Sequence, residues 1–215
     1  ARRGVLKRIK DEGIEHVLFW FTDLEGHCKS FAITPSEMEG ALDDGMGFDG
    51  SSITGFNAIE ESDMIAIPDP TTFQVMPRPT DEHGHEYGAK VGRLICDVVK
   101  PDGTPYEGDP RFVMRSALER MEKLGFDTFN IGPELEYFLF EDSQGTKTLD
   151  EGGYFAMTAQ DAATEVRNDT IAALESVGID IEYHHHEVAP SQHEIDMRFD
   201  SALEMADKTL TYRLV

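Results

Sequence analysis

Positive charge is scarce in this chain: 19 Lys and Arg residues stand against 42 Asp and Glu, a formal charge of −23. Such a surface repels polyphosphate backbones and anionic headgroups, which excludes a general role in binding nucleic acid or membrane. Self-repulsion also opposes the folded state unless cations screen it. The excess is large for an ordinary acidic enzyme and is expected of a protein from a salt-rich cytoplasm, such as that of a halophilic archaeon. Cysteine is nearly absent. Cys28 and Cys96 form neither a disulfide framework nor a zinc-ligand pair, and both read as small core residues. No apolar run approaches the ~20 residues needed to cross a bilayer. The basic start, Arg2 to Lys10, breaks at Asp11-Glu12-Gly13 and lacks the apolar core of a secretory leader. It reads as a short amphipathic helix of a cytoplasmic protein.

What remains is 215 residues, 40% of them hydrophobic, enough for one or two cores. The run His16-Val17-Leu18-Phe19-Trp20-Phe21 reads as a buried strand ended by the turn Asp23-Leu24-Glu25-Gly26. Lys29-Ser30-Phe31-Ala32-Ile33 returns as the second arm of a hairpin. Thr34, Pro35 and Glu37 spell a helix start with a capping box. Short strands are expected at 64–67, 72–75 and 93–98, around a surface flap rich in Pro, Gly and His at 77–88. The run 100–110, dense in Pro and Gly, is the best linker and divides residues 1–103 from 104–215. Beyond it the period predicts a helix at 111–124, a strand within 126–140, a helix at 162–177, a strand at 179–188 and a helix at 201–214. The architecture is α+β, a small β-rich domain preceding a larger one. The last helix reaches Val215 without Gly, Pro or a cap, and the chain opens on Ala1; both features read as signs of a piece of a longer protein.

The chemistry is concentrated in two stretches. Gly132-Pro133-Glu134-Leu135-Glu136 places two carboxylates at i and i+2 of a strand, on one face. Burying both is costly unless a cation neutralises them, and hard divalent cations prefer oxygen ligands. In isolation the pair also fits two solvent-facing residues of an edge strand. The second stretch, His184-His185-His186-Glu187-Val188-Ala189-Pro190-Ser191-Gln192-His193-Glu194, adds two more carboxylates. Glu187 and Glu194 are seven apart, on opposite faces of an unbroken strand, so a bend at Pro190-Ser191 is needed to bring them together. Three consecutive histidines alternate faces and cannot share one zinc; packing and hydrogen bonding near the site is their expected role.

These two motifs and Phe48-Asp49-Gly50-Ser51-Ser52-Ile53, in this order and spacing, resemble the N-terminal half of a prokaryotic-type (type I) glutamine synthetase. The hairpin, the linker and Gly152-Gly153-Tyr154-Phe155 match as well, so the resemblance covers essentially the whole chain. It implies a β-grasp-like N-terminal domain followed by the start of an α/β catalytic domain. It also implies subunits in two stacked hexameric rings, a dodecamer with active sites shared between neighbours. The implied reaction joins ammonia to L-glutamate, driven by ATP, through γ-glutamyl phosphate, with two or three Mg²⁺ or Mn²⁺ ions per site.

By the same resemblance Glu136, Glu187 and Glu194 surround one metal. Glu134 serves a second metal together with a downstream His and Glu that lie outside this chain, which by itself is expected to be inactive. Glu182, Met197, Arg198 and Phe199 match the nucleotide contacts, although Phe199 fits equally well as a core residue beside Ile195 and Met197. Gln192, His193 and Glu194 border the glutamate site. Asp49 matches the residue that binds ammonium and removes its proton in a neighbour's site, against the plain alternative of an Asp-Gly turn. Gly55-Phe56 is followed by Asn57-Ala58, where one branch of the family has an Arg used in feedback inhibition, so that regulation is not expected. A ligase joining glutamate to an amine or polyamine, or a silent ring-forming subunit, are the alternatives; Asp49 favours ammonia and the four intact glutamates favour catalysis.

Overall fold

The structure, a computed structural model, describes residues 1–51, 53 and 62–215. Ser52 and Gly55-Phe56-Asn57-Ala58 lie outside the described residues. The chain forms two compact units, Ala1–Asp127 and Thr128–Val215.

In the first unit α1 (Arg2–Asp11) buries Val5 and Ile9, one helical turn apart, on its apolar face. β1 (His16–Thr22) and β2 (Cys28–Ile33) form the expected antiparallel hairpin, Phe19 opposite Phe31. β1 also runs parallel to β6 (Val91–Val99), which pairs antiparallel with β4 (Asp63–Pro68) and β5 (Gln74–Val75). β3 (Met46–Asp49) closes the edge against β4, giving the order β2-β1-β6-β4-β3. Val17, Phe19, Leu94 and Ala66 of this sheet pack with Val5, Ile9 and with Met38, Ala41 and Leu42 of α2 (Met38–Asp44).

Two local expectations change. Thr34 makes no side-chain cap; its hydroxyl meets that of Ser36, and a 3-10 turn, Pro35–Glu37, precedes α2. Cys96 is a core residue, whereas Cys28 opens β2 half-buried. Gly45, after α2, has φ 76° and ψ −172°, a conformation open essentially to glycine alone, and an added Cβ would lie 2.9 Å from the carbonyl oxygen of Ala66. That tight exit aims β3 and its last residue, Asp49.

α3 (Pro110–Lys123) belongs to this first unit. Its N-cap Asp109 accepts from the Arg111 N–H at 3.0 Å and from the Val98 N–H of β6 at 2.9 Å. Buried Arg111 then reaches Asp97 (2.7 Å) and Asp69 (2.8 Å). Charge pairing between distant segments fixes the helix to the sheet.

The second unit is built on a three-stranded antiparallel sheet in the order β8 (Glu134–Phe138), β10 (Gln192–Met197), β9 (Ile181–His186). The expected strand within 126–140 is broken in two, β7 (Asn130–Ile131) and β8, with Pro133, which has no N–H for a ladder, between them. β7 pairs instead with β11 (Asp200–Ser201). α4 (Thr164–Ser176) packs against β9, and α5 (Ala202–Tyr212) follows β11. Leu174, Val177, Ile179, Ile195 and Met205 are buried. Among the described residues no helix is long and apolar enough to cross a membrane.

Candidate metal centre

Strand alternation divides the small sheet into two chemically different faces. In β10, Glu194 lies opposite Glu136 of β8 and His185 of β9, and Asp196 opposite Glu134 and Tyr183. Residues paired across strands share a face, so Glu134, Glu136, His185, Glu194 and Asp196 line one side. Glu187, just past β9, returns to the same side through a tight turn: its N–H donates to the Gln192 carbonyl at 2.7 Å, and the Gln192 N–H to that of Ala189 at 3.0 Å. Ser191 completes the turn with φ 57°, the left-handed region. The bend expected at Pro190-Ser191 is thus where the sevenfold spacing between the two glutamates is resolved.

His185 stands between them, Nδ1 3.6 Å from Glu187 Oε1 and Nε2 3.5 Å from Glu194 Oε2. Ligand atoms of these three residues lie within 4.8 Å of one another. Gln192 Nε2 donates to Glu136 Oε2 at 2.6 Å and steadies that carboxylate beside the group. Glu194 and Asp196 are each only 5% exposed. Burial, then the carboxylates of Asp196 and Glu187, push Glu194 up to about 8. Burial likewise raises Asp196, whose Oδ2 has no hydrogen-bond partner. Oxygen donors crowded on one face, with an orphaned buried oxygen among them, are the donor set of a hard divalent cation. The residues fit such an ion.

The opposite face is organised around a guanidinium and histidines rather than carboxylates. Arg167 of α4 is buried, paired bidentately with Asp161, and donates to Nδ1 of His184 (3.0 Å) and of His193 (2.8 Å). Guanidinium only donates, so both imidazoles carry their proton on Nε2 and are neutral; burial and then the Arg167 charge lower both. His186 lies 2.8 Å from Asp150, which also accepts from the N–H groups of Ser191, Gly152 and Ala162. Burial opposes these bonds, yet they bring Asp150 down to about 2. Asp150, His186 and His193 are close enough to chelate an ion, but the proton on His193 Nε2 removes that ligand. This group is a brace. It seats the loop 150–163 and the strained Ser191 behind the carboxylates, and Gly152 is required because a Cβ there would meet the Gln160 carbonyl at 2.3 Å.

The histidine run therefore splits. His184 and His186 pack and hydrogen-bond behind the sheet, as expected; His193 lies there with them, on the face opposite Glu194 rather than beside it at a substrate site, and His185 enters the carboxylate group, contrary to expectation. Asp196 was also missed, although it lies two residues beyond Glu194 in the same alternation.

Of the nucleotide candidates, Glu182 is exposed on β9 and Arg198 is exposed after β10. Phe199 is 62% exposed, so it is not a core residue within this chain. Met197 is buried beside Ile195, which leaves only its main chain for a ligand on the carboxylate face. Asp49 ends β3 in the first unit, exposed, with its Oδ1 accepting from the Ser51 N–H at 2.8 Å. That bond, more than any other influence, holds the carboxyl below its usual range.

The sequence matches two family models. The glutamine synthetase β-grasp domain matches residues 13–101, and the glutamine synthetase catalytic domain residues 107–215. The chain is 47% identical over 220 residues to the glutamine synthetase of Methanosarcina mazei, covering 100% of this chain and 47% of that protein. It is 46% identical over 215 residues to that of Mycobacterium tuberculosis, covering 98% and 47%. Among solved structures, a glutamine synthetase of Plasmodium falciparum superposes with TM-score 0.84 at 23% identity, over 100% of this chain and 47% of that one. GmaS in complex with ADP gives TM-score 0.79 at 26% identity, over 98% and 47%. The chain belongs to the glutamine synthetase family: a β-grasp domain followed by catalytic-domain sequence. It spans about half the length of the curated relatives it matches.

A carboxyl whose folded-state pKa lies above its unfolded value holds its proton more tightly when folded. Glu194, at about 8 against an ordinary 4.5, therefore makes the metal-free protein more stable as pH falls from about 8 toward 4.5, with the gain complete below the lower value. Thermal melts in a chelator between pH 8.5 and 6 should move to higher temperature with falling pH. Glu194→Gln should flatten that slope; an unchanged slope contradicts the assignment.

Proposed function

We propose that the polypeptide carrying this chain is a glutamine synthetase, ligating ammonia to L-glutamate at the expense of ATP through γ-glutamyl phosphate. The observation that carries the reading is the placement of Glu136, Glu187 and Glu194 on one sheet face, with His185 between the last two. Those three would hold one Mg²⁺ or Mn²⁺, and Glu134 a second ion with residues outside this chain; two to three ions would serve each site. Bound there, divalent cations neutralise nucleotide oxygens and the charge that builds in phosphoryl transfer.

The chain's own side chains do the remaining work. Gln192 orients Glu136, and the Asp150–His186–Ser191 brace keeps the turn that presents Glu187 in place. Exposed Phe199 and adjacent Arg198, with Glu182 on strand β9, offer an aromatic surface and polar groups for a purine nucleotide, which the ADP complex of the GmaS relative supports. Asp49, kept ionised by Ser51, suits a cation as small as ammonium and can accept its proton. We assign Asp49 to the site of a neighbouring subunit in a homo-oligomer, a dodecamer of two hexameric rings, in the cytoplasm. Residues 104–215 are taken as the start of the catalytic domain although α3 packs with the first unit; the catalytic-domain match from residue 107 supports this.

In the complete polypeptide carrying residues 1–215, Glu136→Gln should weaken Mn²⁺ binding at least about tenfold by calorimetry and abolish glutamine formation. Asp49→Ala should abolish ammonia use and leave Mn²⁺ binding unchanged. Rings mixed from the two variants should recover activity, because some sites then pair an intact Asp49 with an intact Glu136. Verified mixed rings without activity would refute the shared site, and an unchanged Mn²⁺ isotherm for Glu136→Gln the metal assignment.

The charge of −23 further suits a saline cytoplasm of the halophilic type. Below about 0.1 M KCl, where screening length exceeds about 10 Å, the assembly should loosen by sedimentation velocity. Equal integrity at low and high salt would mean that the charge is incidental.

A further inference from the structure

We propose that Asp196 is a further ligand of the metal centre, supplying an oxygen to the cation that Glu134 holds; the inference rests on the functional reading above. Asp196 is 5% exposed, and its Oδ2 has no hydrogen-bond partner. Its position in β10 puts it on the face of Glu194, directly across the ladder from Glu134. Glu134 and Glu182 face it as like charges, tempered by the His185 ring, and its carboxyl shares a hydrogen bond with that of Glu194.

Structural aspartates of the same unit look different. Asp150 accepts from His186 and three backbone N–H groups, and Asp161 from Arg167, Thr164 and the Ala163 N–H. Their oxygens are occupied, as buried carboxylates require. Asp196 leaves an oxygen open among like charges, a destabilising arrangement unless a cation meets it. Asp196 is short and buried at the base of the face, whereas Glu134 is longer and exposed at its edge. Carboxylates at two depths on paired positions can close on one ion from below and from the side.

The test is Asp196→Asn, nearly isosteric, in the complete polypeptide carrying residues 1–215, with Mn²⁺ as the probe. Removing a buried carboxyl that faces Glu134 and Glu182 should raise the melting temperature of the metal-free protein. It should also weaken the more weakly bound Mn²⁺ by about tenfold or more and shrink the Mn²⁺-induced rise in melting temperature. Asp196→Glu, which retains the charge, should recover part of that rise and guards against a folding defect peculiar to the Asn variant. A lower metal-free melting temperature with an unchanged Mn²⁺ isotherm would make Asp196 structural and overturn the proposal. So would equal losses in the Asn and Glu variants, because shape rather than charge would then matter. Wild-type protein that binds no Mn²⁺ sinks the functional reading itself; Mn²⁺ binding that ignores Asp196→Asn sinks this inference alone.

Discussion

Like charges crowded on one face of a three-stranded sheet are the constraint on which the second unit is organised. Glu194 and Asp196 are buried side by side, with Glu136, Glu187 and Glu134 around them. A metal-free protein bears this repulsion as lost stability, and burial deepens it because screening by water is reduced. The other face is organised around a single ion pair. One cation, Arg167, is neutralised by Asp161 and spends its remaining donors on His184 and His193, fixing their tautomers. Two neutral imidazoles behind the sheet do not compensate the carboxylates in front of it. Negative charge is thereby kept available for an external cation.

The brace around Asp150 has a related role. Ser191 adopts a left-handed conformation that a serine reaches only under constraint, and Asp150 bonds its N–H while the Ser191 hydroxyl bonds the Asp150 backbone. A seven-residue spacing is converted in this way into two carboxylates on one side. In the first unit Gly45 plays a comparable part, its glycine-only backbone directing β3 toward Asp49.

Much of this was legible in the residues. Period-2 alternation placed Glu134 and Glu136 together, and Pro190-Ser191 marked the bend between Glu187 and Glu194. Local patterns failed where long-range contacts decide. The helix α3 reads as the first element beyond a linker, yet Asp109 and Arg111 fasten it to β6 through partners 11 to 42 residues away. Phe199 looks like the third member of an apolar face with Ile195 and Met197, but β10 ends at Met197 and the alternation ends with it. His185 was grouped with its neighbours because a run of identical residues hides which one points forward. Asp196 was overlooked because it interrupts an apolar-looking stretch, where the same alternation that placed Glu194 also places it.

The central claim is that these carboxylates exist to hold divalent cations. Anomalous diffraction from Mn²⁺-soaked crystals of the complete polypeptide tests it most directly. The account predicts a strong peak bounded by Glu136, Glu187 and Glu194, with a second toward Glu134 and Asp196. Crystals that take up Mn²⁺ elsewhere while this face shows no anomalous density would contradict it.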